Sequence, residues 1–299
     1  MQEEKIITRD ESAQFYSGFK NQEELDLEYN VEKAVPNFAA YINYYQQASA
    51  LARSYVRGRM TFEYGPTRME KLTVYPGEQP DAPVLVFVHG GYWRMGMADD
   101  FDFIVKGPLE LGFTVVNVNY ALAPQVSIPE IVRQVRSAIA WTAKNISSHG
   151  GDANNIFLAG HSAGAHLVAM ADSTNWEDYG LRKDIIKGIL AISGLYDLQP
   201  VSQSFIQPAV RITADQILSS SPIRLIKPSE TPMTISWGAL ETHAFRKQSD
   251  EYLNSWRMAG NLGLSVIIEG ADHFNILKEF EYEGGLLSQA LLALYQNNK

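Results

Sequence analysis

The stretch that decides the fold runs from residue 155 to residue 170 and reads NIFLAGHSAGAHLVAM. Residues 155–159 have the apolar character of a buried strand, and residues 163–170 favour a helix. Between them lies GHSAG at residues 160–164, which has the spacing G-x-S-x-G. Glycines at both flanks allow a sharp strand-to-helix turn, in which the serine hydroxyl projects above the sheet at the helix N-terminus. The motif therefore predicts that Ser162 is a nucleophile.

The motif alone has a plain alternative explanation. A bare G-x-S-x-G occurs by chance in roughly one chain of this length in ten at ordinary glycine and serine frequencies. Such a turn can simply be a glycine-rich connection without chemistry. The strand before the motif and the helix after it favour the nucleophile, because they are the structural context that this chemistry needs.

A second glycine-rich loop, HGGYW at residues 89–93, follows an earlier apolar run. Acyl transfer needs at least two donors aimed at the oxyanion of the tetrahedral intermediate. We expect the backbone N–H of Ala163 to be one donor and that of Gly91 to be the other, with Gly90 and Tyr92 as alternatives to Gly91. The competing interpretation is a tight turn that merely needs glycine, but the order of the two loops along the chain favours an oxyanion hole.

The general base is expected among the six histidines of the chain. His273 follows the last predicted strand, 264–268, at the sheet edge where open α/β sheets form their sites. Its late position also agrees with the order serine, acid, histidine. We expect His161 to be held in the turn, His166 to pack on the following helix and His89 to brace its loop. His273 is therefore the predicted base.

The acid must orient the imidazole and stabilise the imidazolium, so it belongs on a loop near His273. Glu241 follows the penultimate predicted strand, 233–237, where the third member is usually found. Asp197 lies one strand earlier and is the rival, although such a residue more often caps or shapes a loop. Asp272 is adjacent to the histidine and too constrained to bond its neighbour's ring. We favour Glu241.

The wider pattern predicts an α/β fold. From about residue 70, short apolar runs alternate with helical stretches, and the runs from Val84 onward are nearly continuous, as in parallel strands buried on both faces. This pattern is typical of a doubly wound, mostly parallel sheet with helices on both faces, the architecture of α/β-hydrolases. The predicted strands are 71–75, 83–88, 113–119, 155–159, 186–192, 233–237 and 264–268; the predicted helices are 34–55, 99–111, 128–147, 163–172, 244–259 and 285–296.

We expect a single domain over residues 1–299, since there is no internal repeat or low-complexity linker. Residues 1–68 have helical patterning and are interpreted as an N-terminal extension. Residues 198–231 form a long connection, rich in proline and serine, which is either a lid or cap over the site or a surface excursion with a short helix near 209–217.

Composition limits the classes of function. The chain is 45% hydrophobic and 11% aromatic, which excludes disorder, and its net charge of −9 disfavours nucleic acid and anionic membranes as partners. The chain has no cysteine, so thiol nucleophiles, disulfides and thiolate metal sites are excluded. Residues 1–10 lack the apolar region of a secretory signal, and no apolar run approaches the roughly 20 residues of a membrane span. We expect a cytoplasmic protein; a dimer is compatible with the sequence but does not follow from it.

With these pieces in place, the chain resembles kynurenine formamidase (arylformamidase) and its esterase relatives from about residue 70 to residue 277. The resemblance rests on motifs that run in the family's order: HGGYW at 89–93, YALAP at 120–124, GHSAGAHL at 160–167, SGLYDL at 193–198, SP at 221–222, FRKQS at 245–249 and DHF at 272–274. It implies a Ser–acid–His triad without a cofactor or a metal.

The resemblance also implies which residues form that triad. The serine of GHSAG corresponds to Ser162, the histidine of DHF to His273, and the acid a few residues before F-x-x-Q-S to Glu241. The family's usual acid is Asp, so Glu241 is a departure, as is Thr-His-Ala at 242–244 where Ser-Pro-Glu is common. SGLYD is a feature of the family distinct from the acid, which further disfavours Asp197.

The expected reaction is cleavage of a carboxylic ester of a small or aromatic substrate through an acyl-enzyme. One alternative is an arylformamidase or amidase that acts on N-formylkynurenine or a related amide. Another, of a different class, is a non-catalytic ligand-binding scaffold, which the presence of both Ser162 and His273 disfavours. Tyr92 and Trp93 are candidates to bind the substrate, together with Trp237 and Phe274, although aromatic residues at strand ends are equally often part of the core.

Overall fold

The computed structural model describes residues 18–298, in which eight strands form one sheet of order β1-β2-β4-β3-β5-β6-β7-β8. The strands are β1 (Met60–Glu63), β2 (Lys71–Tyr75), β3 (Ala82–Val88), β4 (Thr114–Val118), β5 (Gly151–His161), β6 (Ile186–Ile192), β7 (Met233–Gly238) and β8 (Gly263–Ile268). Strands β3 to β8 are parallel, whereas β1 and β2 pair antiparallel with each other and β2 with β4.

Helices connect the strands and lie on both faces of the sheet. The α-helices of the described residues are α1 (Gln22–Tyr29), α2 (Phe38–Tyr55), α3 (Lys106–Glu110), α4 (Ile128–Asn145), α5 (Ala163–Asp172), α6 (Leu198–Val201), α7 (Gln207–Val210), α8 (Ala214–Ser219), α9 (His243–Met258) and α10 (Leu286–Gln296). A 3₁₀-helix, Ala98–Val105, leads into α3. The predicted doubly wound, mostly parallel α/β sheet is confirmed.

Most of the parallel strands were predictable because both of their faces are buried; the edge strand β8 is the exception, since Leu264 and Ile267 are 48% and 49% exposed. Every residue of β4 and every residue of β7 is buried, so these strands read as continuous apolar runs with few polar interruptions. The side-chain NH₂ group of Asn117 in β4 donates to Ala98 O at 2.8 Å and to Asp102 Oδ1 at 2.9 Å. Asn117 Oδ1 has no partner within residues 18–298, so the burial of this polar side chain is only partly compensated.

The N-terminal part of the described chain is not purely helical. Helix α2 begins after Asn37, whose side-chain oxygen accepts the Ala40 N–H at 3.1 Å, a favourable N-cap. Strand β1 was not predicted, since its four residues alternate between half-buried and exposed and form the edge of the sheet. The interpretation of residues 1–10 lies outside the described residues.

The connection 198–231 contains three short α-helices and a 3₁₀-helix, Pro222–Arg224, rather than one helix near 209–217. Helices α7 and α8 are separated at Arg211, which has a φ of 53° and ends α7 in the left-handed conformation. Ile206 and Val210 are buried in the main core, so the connection packs against the domain. Its movement as a lid stays a prediction.

The fold brings four loops to one edge of the sheet. The loops after β3, β5, β7 and β8 leave the carboxyl ends of neighbouring parallel strands, and they carry residues 89–93, Ser162, Glu241 and His273. In the part of the chain that the structure describes, no helix combines the length and apolarity needed to span a bilayer. The cytoplasmic location stays a prediction.

Candidate active site

Ser162 lies in the sharp turn between β5 and α5. Its φ of 56° and ψ of −119° are strained for a residue with a side chain. Its N–H donates to Ile192 O at 2.8 Å, which ties the turn to β6. A Cβ atom at Gly164 would lie 2.0 Å from Val88 O, and one at Gly160 would lie 2.3 Å from Gly164 O. Both glycines of the motif are therefore required by close backbone packing.

Three predicted side chains from separate loops form one hydrogen-bonded chain. Ser162 Oγ lies 3.0 Å from His273 Nε2, and His273 Nδ1 lies 2.9 Å from Glu241 Oε2. The exposed fractions of the three residues are 3%, 4% and 5%, in that order. Because water is largely excluded, the electrostatic contacts within the chain are strong. Chemically, such an arrangement can take a proton from the serine as it attacks a carbonyl carbon.

Glu241 is held by two further donors, one of which the sequence reasoning missed as a site residue. Its Oε1 accepts a hydrogen bond from Ser193 Oγ at 2.6 Å and from the Gly238 N–H at 2.7 Å. Ser193 has a φ of 53°, which turns the chain after β6. These two donors fix the orientation of the carboxylate. The signal was available in the SGLYD motif, in which Ser193 is the first residue.

The two rival carboxylates are engaged elsewhere. Asp197 caps helix α6, where its Oδ1 accepts the Gln199 N–H at 3.0 Å, and it lies 3.3 Å from Arg224. Asp272 Oδ1 accepts the backbone N–H groups of the two residues that follow His273, at 2.8 and 2.9 Å. The hydrogen bonds described for Asp197 and Asp272 therefore go to groups other than the His273 ring.

The other buried histidines are neutral structural groups. His161 Nε2–H donates to His273 O at 2.8 Å, and its Nδ1 has no partner within residues 18–298. Burial lowers the pKa of His161 far below its usual value, and the neighbouring His273 lowers it further. Burial likewise lowers the pKa values of His89 and His166 to about 4. The His89 ring stacks on Tyr120 at 4.3 Å, as expected of a residue that braces its loop.

The glycine loop after β3 lies against the serine turn. A Cβ at Gly90 would lie 2.9 Å from Ser162 Cβ, and one at Gly91 would lie 2.0 Å from Met95 O. Gly91 also has a φ of 109°, which favours glycine. Among the residues that the structure describes, no acceptor is recorded for the N–H groups of Gly90, Gly91 or Ala163. The roles of these three groups as oxyanion donors stay predictions.

A cavity of about 160 Å³ opens above Ser162 and His273. Much of its wall is aromatic or aliphatic: Phe38, Ile42, Tyr45, Tyr92, Phe101 and Phe274. Several wall residues belong to the segment 31–46, at and before α2, whereas none of the described lining residues belongs to 198–231. What covers the cavity in the structure is thus the N-terminal segment, a role that its sequence did not reveal.

The two predicted substrate-binding residues differ in position. Tyr92 lines the cavity, and its hydroxyl donates to Tyr29 O. Trp93 does not line the cavity, so its prediction as a substrate-binding residue is corrected. It is fully buried, and its indole N–H donates to His166 Nδ1 at 3.2 Å. The positive φ values of Tyr92 (50°) and Trp93 (57°) turn the loop sharply at this point. The indole is therefore part of the packing beneath the loop, as Trp237 is part of the core.

Charged groups are few around the cavity. Glu32 lies in its wall and pairs with Arg94 at 3.2 Å, and Asp100 is the other charged lining residue described. Within residues 18–298, no cluster of three or more His, Asp or Glu side chains is arranged to hold a metal ion.

Comparison with known proteins gives consistent relatives. The family model BD-FAE matches residues 72–256. Kynurenine formamidase of Danio rerio is 31% identical over 92% of this chain and 96% of its own length. Among solved structures, a protein of Silicibacter sp. that is described as a candidate thioesterase has a TM-score of 0.81 at 27% identity, over 90% of this chain and 99% of its own. An esterase of Pyrobaculum calidifontis has a TM-score of 0.68 at 21% identity, over 91% and 97%, a likeness of fold alone.

Proposed function

This chain belongs to the BD-FAE family and is an α/β-hydrolase enzyme of the kynurenine formamidase and esterase group, and from that premise we propose the reaction and the residues that perform it. The enzyme cleaves a carboxylic ester of a small or aromatic substrate. Ser162 is the nucleophile, His273 the general base and Glu241 the acid that orients the base.

The mechanism is acyl transfer. As Ser162 Oγ attacks the carbonyl carbon, His273 Nε2 accepts its proton, and Glu241 stabilises the imidazolium. The N–H groups of Gly91 and Ala163 hold the oxyanion, with Gly90 as an alternative. His273 then gives the proton to the leaving group, and an acyl-enzyme remains. Water, deprotonated by the same histidine, hydrolyses that ester and frees Ser162.

One observation carries the proposal. Ser162 and His273 line the cavity, and the hydrogen-bonded chain runs from Ser162 Oγ through His273 to Glu241 with distances of 3.0 and 2.9 Å. The distances are within the range at which a base can abstract a proton. A scaffold that only binds a ligand has no need of this arrangement, so the non-catalytic alternative is disfavoured.

The cavity supports a small substrate. Its volume of about 160 Å³ is close to that of an apolar cavity of about 150 Å³ that binds benzene. Aromatic walls favour a flat apolar group, and the reacting acyl group must then be short. A long acyl chain would have to extend out of the described cavity.

Hydrolysis of an aryl formamide is the second candidate. The similarity to a kynurenine formamidase across 92% of the chain favours it. Formyl is the smallest acyl group, and the aromatic walls of the cavity suit an aryl leaving group. The chemistry of Ser162 and His273 is the same for an ester and for a formamide, so the two candidates differ only in the acyl group and the leaving group of the substrate.

The test is a pair of substrates assayed on wild type and on Ser162→Ala, with Ser219→Ala as the matched control. Ser219 is exposed and bonds only Asp215 O among the contacts described. We expect wild type and the control to hydrolyse p-nitrophenyl acetate and to be labelled by a fluorophosphonate, and Ser162→Ala to do neither. Turnover of N-formylkynurenine in preference to the ester would favour the second candidate. Full activity of Ser162→Ala would contradict the mechanism.

A further inference from the structure

Three tyrosines of helix α2 bind the segment that follows β8. Tyr41, Tyr44 and Tyr45 lie at helical spacing on one side of α2. The Tyr41 hydroxyl donates to Asp272 Oδ2, that of Tyr44 to Glu281 Oε1, and that of Tyr45 to Phe274 O at 2.6 Å. One helix thus supplies three hydrogen bonds to residues 272–281, a region more than half the chain away.

Two of these contacts flank His273 directly. Asp272 precedes the histidine and Phe274 follows it; Tyr41 binds the side chain of the first, and Tyr45 binds the backbone carbonyl of the second. The Asp272 carboxylate links Tyr41 to the backbone after His273, because its other oxygen accepts the N–H of Phe274 at 2.8 Å. The Phe274 ring also stacks on the Tyr41 ring, with centroids 5.3 Å apart.

The same helix forms a wall of the cavity. Phe38, Ile42 and Tyr45 line it beside Phe274. A substrate that fills the cavity therefore touches the helix that holds His273. Tyr44 is different, since its acceptor lies eight positions beyond the histidine.

We propose that Tyr41 and Tyr45 are positioning residues for His273. Their hydroxyl groups fix the position of the general base relative to helix α2, which forms a wall of the cavity. This inference rests on the proposed function. The Tyr45 hydroxyl is buried, and without it the buried Phe274 carbonyl loses its donor and the adjoining peptide is free to rotate. Small displacements of a base cost much of its rate, because proton transfer needs close alignment with the serine.

The hydroxyl of Tyr41 stays a donor over the working pH range. Its hydrogen bond to Asp272 and its burial raise its pKa to about 12. Burial likewise raises the pKa of Tyr45 well above its usual value. The two restraints on His273 therefore persist through neutral and mildly alkaline pH.

The test compares Tyr41→Phe and Tyr45→Phe with Tyr44→Phe, each in the full chain. All three remove one hydroxyl from the same helix and keep the ring. We expect kcat for p-nitrophenyl acetate to fall about tenfold in the first two, as for a displaced catalytic group, with KM changed less than twofold. Tyr44→Phe should keep both constants within twofold of wild type. Circular dichroism and Tm establish that each variant is folded.

Several outcomes would overturn the inference. Equal kcat values for the three variants would show that the hydroxyls next to His273 do not matter more than that of Tyr44. A rise in KM without a fall in kcat would place the effect in substrate binding. If Tyr45→Phe fails to fold, Tyr41→Phe, which is half-buried, decides alone. The proposed function fails separately, when Ser162→Ala keeps the activity of wild type.

Discussion

Replacing Glu241 with glutamine changes one atom of the side chain and tests the proposed acid most directly. The Oε1 position receives the Gly238 N–H at 2.7 Å, and a backbone donor cannot reverse its direction. The carboxamide oxygen must therefore take that position. The carboxamide NH₂ then takes the Oε2 position, 2.9 Å from His273 Nδ1.

The consequence is a change of tautomer at His273. Its Nδ1 must accept from the new NH₂ group, so the ring proton moves to Nε2, which faces Ser162 Oγ at 3.0 Å. An Nε2–H cannot accept the serine proton. The corresponding change of acid to amide in a serine-protease triad lowers kcat by about 10⁴. At 1.36 kcal/mol for each factor of ten, this loss is about 5 kcal/mol of transition-state stabilisation.

The assay is kcat/KM for p-nitrophenyl acetate at neutral pH, with Tm measured in parallel. Asp197→Asn is the matched control, because Asp197 caps α6 and pairs with Arg224. We expect the control to stay within about twofold of wild type, as is usual for changes away from the reacting groups. If Glu241→Gln retains more than a tenth of the wild-type value while folded, the tautomer argument is wrong and Glu241 does not orient the base.

The remaining predictions concern strained or buried groups. Ser193→Ala and Ser193→Gly both remove the hydroxyl that bonds Glu241, so both should lower kcat/KM by about tenfold. Only glycine relieves the φ of 53°, so the glycine variant should have a higher Tm than the alanine variant. Unequal activities of the two variants would refute this. Gly91→Ala should lower both activity and Tm, because its Cβ would lie 2.0 Å from a backbone oxygen, and near-wild-type rates would contradict the packing. His89 and His166, with pKa values of about 4 when folded and 6.5 when exposed, each contribute about 3 kcal/mol of stability above pH 6.5, lost as pH falls toward 4. Urea unfolding from pH 7 to pH 4 should show this slope, and His166→Gln should reduce it.

Much of the fold was predictable because burial leaves a simple pattern. The bounds of β2, β6 and α5 agree with their predictions, since continuous apolar runs mark strands that are covered on both faces. Strand β1 was missed because an edge strand of four residues needs only partial burial. The separation of α7 from α8 within 198–231 depends on the left-handed conformation of Arg211, which has no distinct sequence signal.

The candidate site was predictable to the extent that its members follow strands. Chain order pointed to Ser162, Glu241 and His273, and these side chains do meet. Trp93 was predicted to line the cavity, but its indole is buried beneath a loop in which two residues have positive φ values. Positive φ values in residues other than glycine can seldom be predicted from sequence. The wall contributed by α2 was also not predictable, because its contacts join residues that are distant in sequence.

The tyrosine contacts of α2 have a consequence for how the protein is made. Tyr41 and Asp272 are separated by 231 positions. At ribosomal speeds of about 5–20 residues per second, the helix is synthesised roughly 10–50 s before its partner. Throughout that interval its aromatic side has nothing from the end of the chain to pack against. Tyr45 can already pack on Phe101 and Phe103 during that interval, whereas its hydroxyl and that of Tyr41 find their partners only after the last strand has been made, so we expect the site to be completed at the very end of synthesis.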